Sequence, residues 1–197
     1  MGNLTTSKAI TFIDVETTDL DPAKSTILSI SIITDWDNGT QDVWSTKIKP
    51  KPIEIRFASN DALKICNYSE EEWISAPNFE EVAETIAKKV RWGPLVGHNI
   101  QFDLAHIAAV FKRYGWKQCN TKIMSDPQST DKLYRFGYPA IDTCALAYIF
   151  LPTERQNLNA LREHYNISLD RAHNAITDAE DCRTVFYNII AGLGNEN

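Results

Sequence analysis

The sequence predicts a mixed α/β domain. Two observations carry the prediction: residues 9–49 read as three strands, and the remainder reads as helices with one short apolar strand among them. The composition agrees. Over 197 residues, 43% are hydrophobic and 23% charged, enough for a sizeable core and ordinary for a globular chain.

The first strand is the apolar, β-branched run Ala9 to Val15, and the second is Thr26 to Thr34. Asp37-Asn38-Gly39 supplies a hairpin turn. Thr40 to Lys49 alternates as a third strand, and Pro50 and Pro52 stop it. Ser69 with Glu72 resembles a capping box. Asn78, with Glu81 at the matching position, caps a helix through Val90, which Gly93-Pro94 closes off. Leu95 to Gly97 is a short buried strand. Phe102 to Tyr114 follows as a helix with Gly115 as its stop. Lys117 to Pro139 is irregular and polar, and is expected to form a long surface loop. A further apolar segment begins at Ile141, and helices over Asn157 to Tyr165 and Ile176 to Ala191 complete the chain.

Several function classes drop out. No apolar run reaches the ~18 residues that a membrane span needs. The net charge of −6 excludes a broad basic coat for nucleic acid, but not an enzyme that grips a few nucleotides through metal ions. Cys66, Cys119, Cys144 and Cys182 form no zinc pattern. Scattered thiols without a signal peptide point to a cytoplasmic protein.

Three segments carry chemistry. Asp14 and Glu16 sit two apart on the first strand and so share one face. Side by side at the end of a central strand they repel, which a divalent cation would offset; solvated acids on a frayed strand end are the alternative. Asp103 falls near a helix N-terminus, where it is well oriented or simply a cap. His173 and Asp178 stand five apart, ~140° of rotation on a helix, so both cannot face one point from mid-helix. The arrangement that joins them puts His173 on the approach and Asp178 in the first or second turn. Four hard carboxylates suit Mg²⁺ or Mn²⁺. A pair of such ions serves phosphoryl chemistry, and a nearby imidazole can take a proton from water.

In that order, DVETTDL (Asp14 to Leu20), LVGHNIQFD (Leu95 to Asp103) and HNAITD (His173 to Asp178) resemble the three motifs of the DnaQ-like 3′–5′ exonucleases of the DEDDh type. The resemblance spans about Ile10 to Ile190. It implies an RNase H-like mixed sheet, antiparallel in its first three strands and flanked by helices, as a single exonuclease domain. It implies two Mg²⁺ ions, replaceable by Mn²⁺, on Asp14, Glu16, Asp103 and Asp178. Glu16 and His173 would take part in catalysis, His173 as general base. Thr17 matches the position whose backbone meets the terminal 3′-hydroxyl, and Leu20 matches a side chain that packs on the terminal base. His98, Asn99 and Phe102 belong to the second motif as supporting or substrate-side residues. Asp19 stands where the family often has glycine. The implied substrate is the 3′ end of single-stranded or frayed DNA, cut to nucleoside 5′-monophosphates. An RNA 3′-exonuclease and a proofreading module partnered with a polymerase are the rival readings.

Overall fold

The computed structural model describes residues 8–119, 131–170 and 174–194. In chain order the elements are β1 (Ala9–Thr17), β2 (Ile27–Trp36), β3 (Gln41–Lys47), α1 (Pro52–Arg56), α2 (Asn60–Ile65), α3 (Glu70–Trp73) and α4 (Phe79–Lys89). They continue with β4 (Leu95–Gly97), α5 (Ile100–Arg113), β5 (Lys117–Gln118), β6 (Leu133–Tyr134), β7 (Ala140–Asp142), α6 (Thr143–Phe150), α7 (Leu158–His164) and α8 (Ala175–Gly194).

Five strands form one sheet in the order β3-β2-β1-β4-β7. The β1–β2 and β2–β3 pairs are antiparallel, while β4 runs parallel to both β1 and β7. β1 is therefore central and covered on both faces, which is why its opening run is continuously apolar rather than alternating. Its side chains still divide by the period of two. Ile13 and Val15 join Val82 and Ile86 of α4 and Ile107, Val110 and Phe111 of α5 in one core cluster. Phe12 points the other way, onto Ala179, Cys182 and Phe186 of α8, with 5.6 Å between the Phe12 and Phe186 ring centroids. Fully burying a side chain such as Phe12 contributes about 1.5–3 kcal/mol. The same alternation sends Asp14 and Glu16 to the α8 face, one and two steps beyond Phe12.

Local signals place the helices. Asn78 and Glu81 form a reciprocal cap on α4: Glu81 N donates to Asn78 Oδ1 at 3.1 Å, and Asn78 N donates to Glu81 Oε2 at 2.7 Å. At Ser69 only the forward half is seen, with Glu72 N donating to its hydroxyl oxygen at 3.3 Å. α5 stops at Gly115, whose φ of +78° suits glycine. Gly93 is required by a close approach, since a Cβ there would lie 1.9 Å from the Ala9 carbonyl oxygen.

Two regions differ from the sequence expectation. Pro52 ends the strand segment but also opens α1 at its first turn, where a missing N–H costs nothing; α2 follows, capped by Ser59. The expected loop from Lys117 to Pro139 carries a small parallel pair, β5 with β6, and β7 begins directly after it at Ala140. Residues 120–130 of it lie outside the described residues. No described helix is long and apolar enough to cross a membrane.

Candidate active site

The acidic end of β1 meets the first turn of α8. Asp14, Glu16 and Asp178 each offer a carboxylate oxygen, and these oxygens all lie within 4.8 Å of one another. Asp178 is 9% exposed and stands in the first turn of α8. His173 itself lies outside the described residues.

Asp103 is 3% exposed in the first turn of α5. Its Oδ1 accepts from Val15 N at 2.9 Å. β4 is only three residues long and pairs with β1 at Thr11 and Phe12, so the β1 edge beyond it needs another acceptor. Asp103 supplies it, near enough for its charge to act on Asp14, although its oxygens are not among the three that converge. Burial, followed by the charges of Asp103, Asp178 and Glu16, raises the Asp14 carboxyl well above the ordinary carboxylate range. Burial likewise raises Asp103, against the hydrogen bond from Val15.

These residues fit a divalent cation. The donors are hard oxygens, they converge, and their mutual repulsion is what a cation would offset. A carboxyl whose pKa is raised by folding favours the folded chain below its unfolded value, and that contribution is lost as pH rises through the folded one. Mg²⁺ or Mn²⁺ is therefore expected to raise the melting temperature more at about pH 8 than at about pH 5, where protons already relieve the repulsion. Thermal melts with and without metal check this; an equal shift at both values would contradict it.

Four further residues shape the site, and the sequence reading missed their roles. Cys66, after α2, donates its thiol to Glu16 Oε2 at 3.2 Å. Burial and the Glu16 charge push that thiol up to about 12, so it remains a neutral donor. His106 is 1% exposed, with Nδ1 2.8 Å from the Phe102 carbonyl oxygen and Nε2 3.1 Å from that of Asp19. It ties α5 to the segment carrying Leu20. Arg162 is 1% exposed and bonds Asp178 and Asp181. A signal for it existed: it falls in the stripe formed by Leu158 and Leu161 of α7 and Tyr165 just after it, where a cation needs a buried partner. Asp181 completes that pair, one helical turn after Asp178.

An open cleft of about 360 Å³ adjoins the acids, lined by Thr17, Leu20, Ala62, Ile65, Cys66 and Phe102. Leu20 is 80% exposed, so it is not a core residue. Thr17 is buried, and its hydroxyl donates to the Asp19 carbonyl oxygen at 3.0 Å. Glu16 and Cys66 also line a second, polar cleft of about 580 Å³ bounded by Ser29, Ser45, Lys47 and Asn174. His98 and Asn99 are tied to the β7–α6 junction instead. His98 Nδ1 lies 3.0 Å from Thr143 Oγ1, and Asn99 N donates to Asp142 Oδ1 at 2.9 Å. Burial holds the His98 ring below its ordinary pKa.

Comparison with known proteins gives the same frame. A family model described as exonuclease, of the RNase T type, matches residues 11–186. The DNA polymerase III subunit epsilon of Treponema pallidum is 25% identical over 192 residues, covering 96% of this chain and 80% of that one. The 3′–5′ exonuclease DinG of Staphylococcus epidermidis is 30% identical over 168 residues, 85% of this chain but only 16% of that protein. Among solved structures, the zinc-bound E. coli exonuclease I–ssDNA complex superposes with a TM-score of 0.66 at 17% identity, covering 96% of this chain and 41% of the other. That likeness is one of fold. The chain belongs to the exonuclease family of RNase T and DnaQ type, built on an RNase H-like sheet with its first three strands antiparallel.

Proposed function

We propose that this chain is a divalent-metal-dependent 3′–5′ exonuclease that removes nucleoside 5′-monophosphates from single-stranded or frayed DNA ends. The observation that carries the reading is the convergence of Asp14, Glu16 and Asp178 beside a cleft headed by an exposed leucine. Asp103 joins them as a ligand on the strength of its burial and its place on the β1 edge. Mg²⁺, or Mn²⁺ in its place, would supply water activation and charge neutralisation at the phosphodiester.

The chain's own residues do the rest. Leu20 and Phe102 hold the terminal base by apolar contact, which tolerates any base. The backbone at Thr17 meets the 3′-hydroxyl. The Cys66 thiol orients Glu16. His173 takes a proton from the attacking water, whose oxygen bonds to phosphorus. The bond from phosphorus to the 3′-oxygen of the preceding nucleotide breaks, and that oxygen leaves with a proton as the new 3′-hydroxyl. The ssDNA-bound exonuclease I likeness supports DNA as substrate, and the DNA polymerase III epsilon-subunit likeness supports a polymerase partner.

Matched end-labelled DNA and RNA oligonucleotides with Mg²⁺, read as ladders over time, test the reading. A DNA ladder shortening from the 3′ end is expected; a ladder confined to RNA would establish the rival substrate. Leu20→Ala is expected to raise KM for the end about fivefold, the equivalent of ~1 kcal/mol of lost base contact, with melting temperature and metal affinity unchanged. Steady-state kinetics and a thermal melt on that variant check it.

A further inference from the structure

We propose that Arg162 is the positioning residue of the metal site, holding Asp178 in the rotamer that faces Asp14 and Glu16. The inference rests on the metal reading above and extends it to a residue on another helix.

The guanidinium is fixed on three sides. Nη2 donates to Asp178 Oδ1 at 2.6 Å, Nε donates to Asp181 Oδ2 at 2.8 Å, and Nη1 donates to Asn159 Oδ1 at 2.8 Å. Three acceptors from two helices leave the planar fork one orientation. Asp178 and Asp181 are three apart on α8 and share a face, so without a cation they would repel and turn from each other. Arg162 couples them, so the direction of the Asp178 carboxylate is set from α7.

Stability alone does not call for this arrangement. Arg162 follows Leu161, which is fully buried in a cluster with Ala147, Val185 and Ile189, and is itself 1% exposed. A buried ion pair adds little net stability over apolar residues of similar volume, because desolvating the charges offsets their attraction. What a triangulated arginine adds is direction. Partners that orient metal ligands in this way typically govern affinity by about 10–100-fold. Lysine, with a point charge on a flexible stem, could reach one acid but not fix both.

The test is Mn²⁺ titration followed by electron paramagnetic resonance, on the protein without substrate, alongside a thermal melt. Arg162→Leu alone would strand two buried acids, so the informative variants are Arg162→Lys and the double replacement Arg162→Leu with Asp181→Leu. The double variant removes the clamp together with its structural acid and leaves Asp178 in place. It still leaves Asp178 without its cation, so it is expected to melt below wild type but above Arg162→Leu, to bind Mn²⁺ at least about tenfold more weakly, and to lower kcat at limiting metal with KM for the oligonucleotide unchanged. Arg162→Lys is expected to weaken Mn²⁺ binding as well, and it decides the matter should the double variant not fold. Wild-type Mn²⁺ affinity in either folded variant, whatever its melting temperature, overturns the inference and leaves a merely structural arginine. Failure of the wild-type chain to bind Mn²⁺ overturns the metal reading, and this inference with it.

Discussion

Replacing Asp14 with asparagine is expected to cut exonuclease activity at least about a thousandfold, equivalent to some 4 kcal/mol of transition-state stabilisation, while the melting temperature of the metal-free protein holds or rises. The two effects have one cause. The charge of Asp14 is disfavoured by burial first and then by Asp103, Asp178 and Glu16. A neutral amide of the same shape removes that repulsion and keeps the packing of β1. It also removes a charged oxygen from the point where the carboxylates converge. A thermal melt and a ladder assay on one preparation check both halves. Activity within tenfold of wild type would show that Asp14 is a bystander.

His173→Ala is expected to slow the chemical step by roughly 10²–10⁴-fold, the usual contribution of a general base. Metal binding should change little. In the wild type, activity should rise with pH as the imidazole loses its proton, and the variant should lose that rising limb. α8 begins at Ala175, after His173 in the chain, with Asp178 in its first turn. A histidine that served only the fold would give the opposite pattern: a lowered melting temperature with turnover near normal. Measuring both on the variant separates the two.

Much of this was legible in the sequence, and the particular residues show why. The apolar run before Asp14 identified a central strand, and the period of two placed Asp14 and Glu16 on one face before any contact was known. Asn78 and Glu81 announced α4 because a cap is local chemistry. Asp178 stands in the first turn of α8, within the first or second turn that the sequence expected. α1 and α2 were hidden because Pro50 and Pro52 read as strand terminators, and proline at a helix start looks the same in sequence. Arg162 and Cys66 were hidden for a different reason. Cys66 meets Glu16 across 50 residues of chain and Arg162 meets Asp178 across 16, so their roles exist only once α2, β1, α7 and α8 are packed. Asp103 lay between these cases: its helix position was legible, but its bond to Val15 on β1 was not.

The most direct test of the account uses a linear single-stranded DNA and a closed circle of the same sequence, each incubated with the protein and Mg²⁺, with and without EDTA. An exonuclease that holds a 3′-hydroxyl end beside Asp14, Glu16 and Asp178 should degrade the linear strand to mononucleotides, leave the circle intact, and fall silent in EDTA until Mg²⁺ or Mn²⁺ is restored. Cleavage of the circle at the rate of the linear strand, or full activity in EDTA, would contradict it.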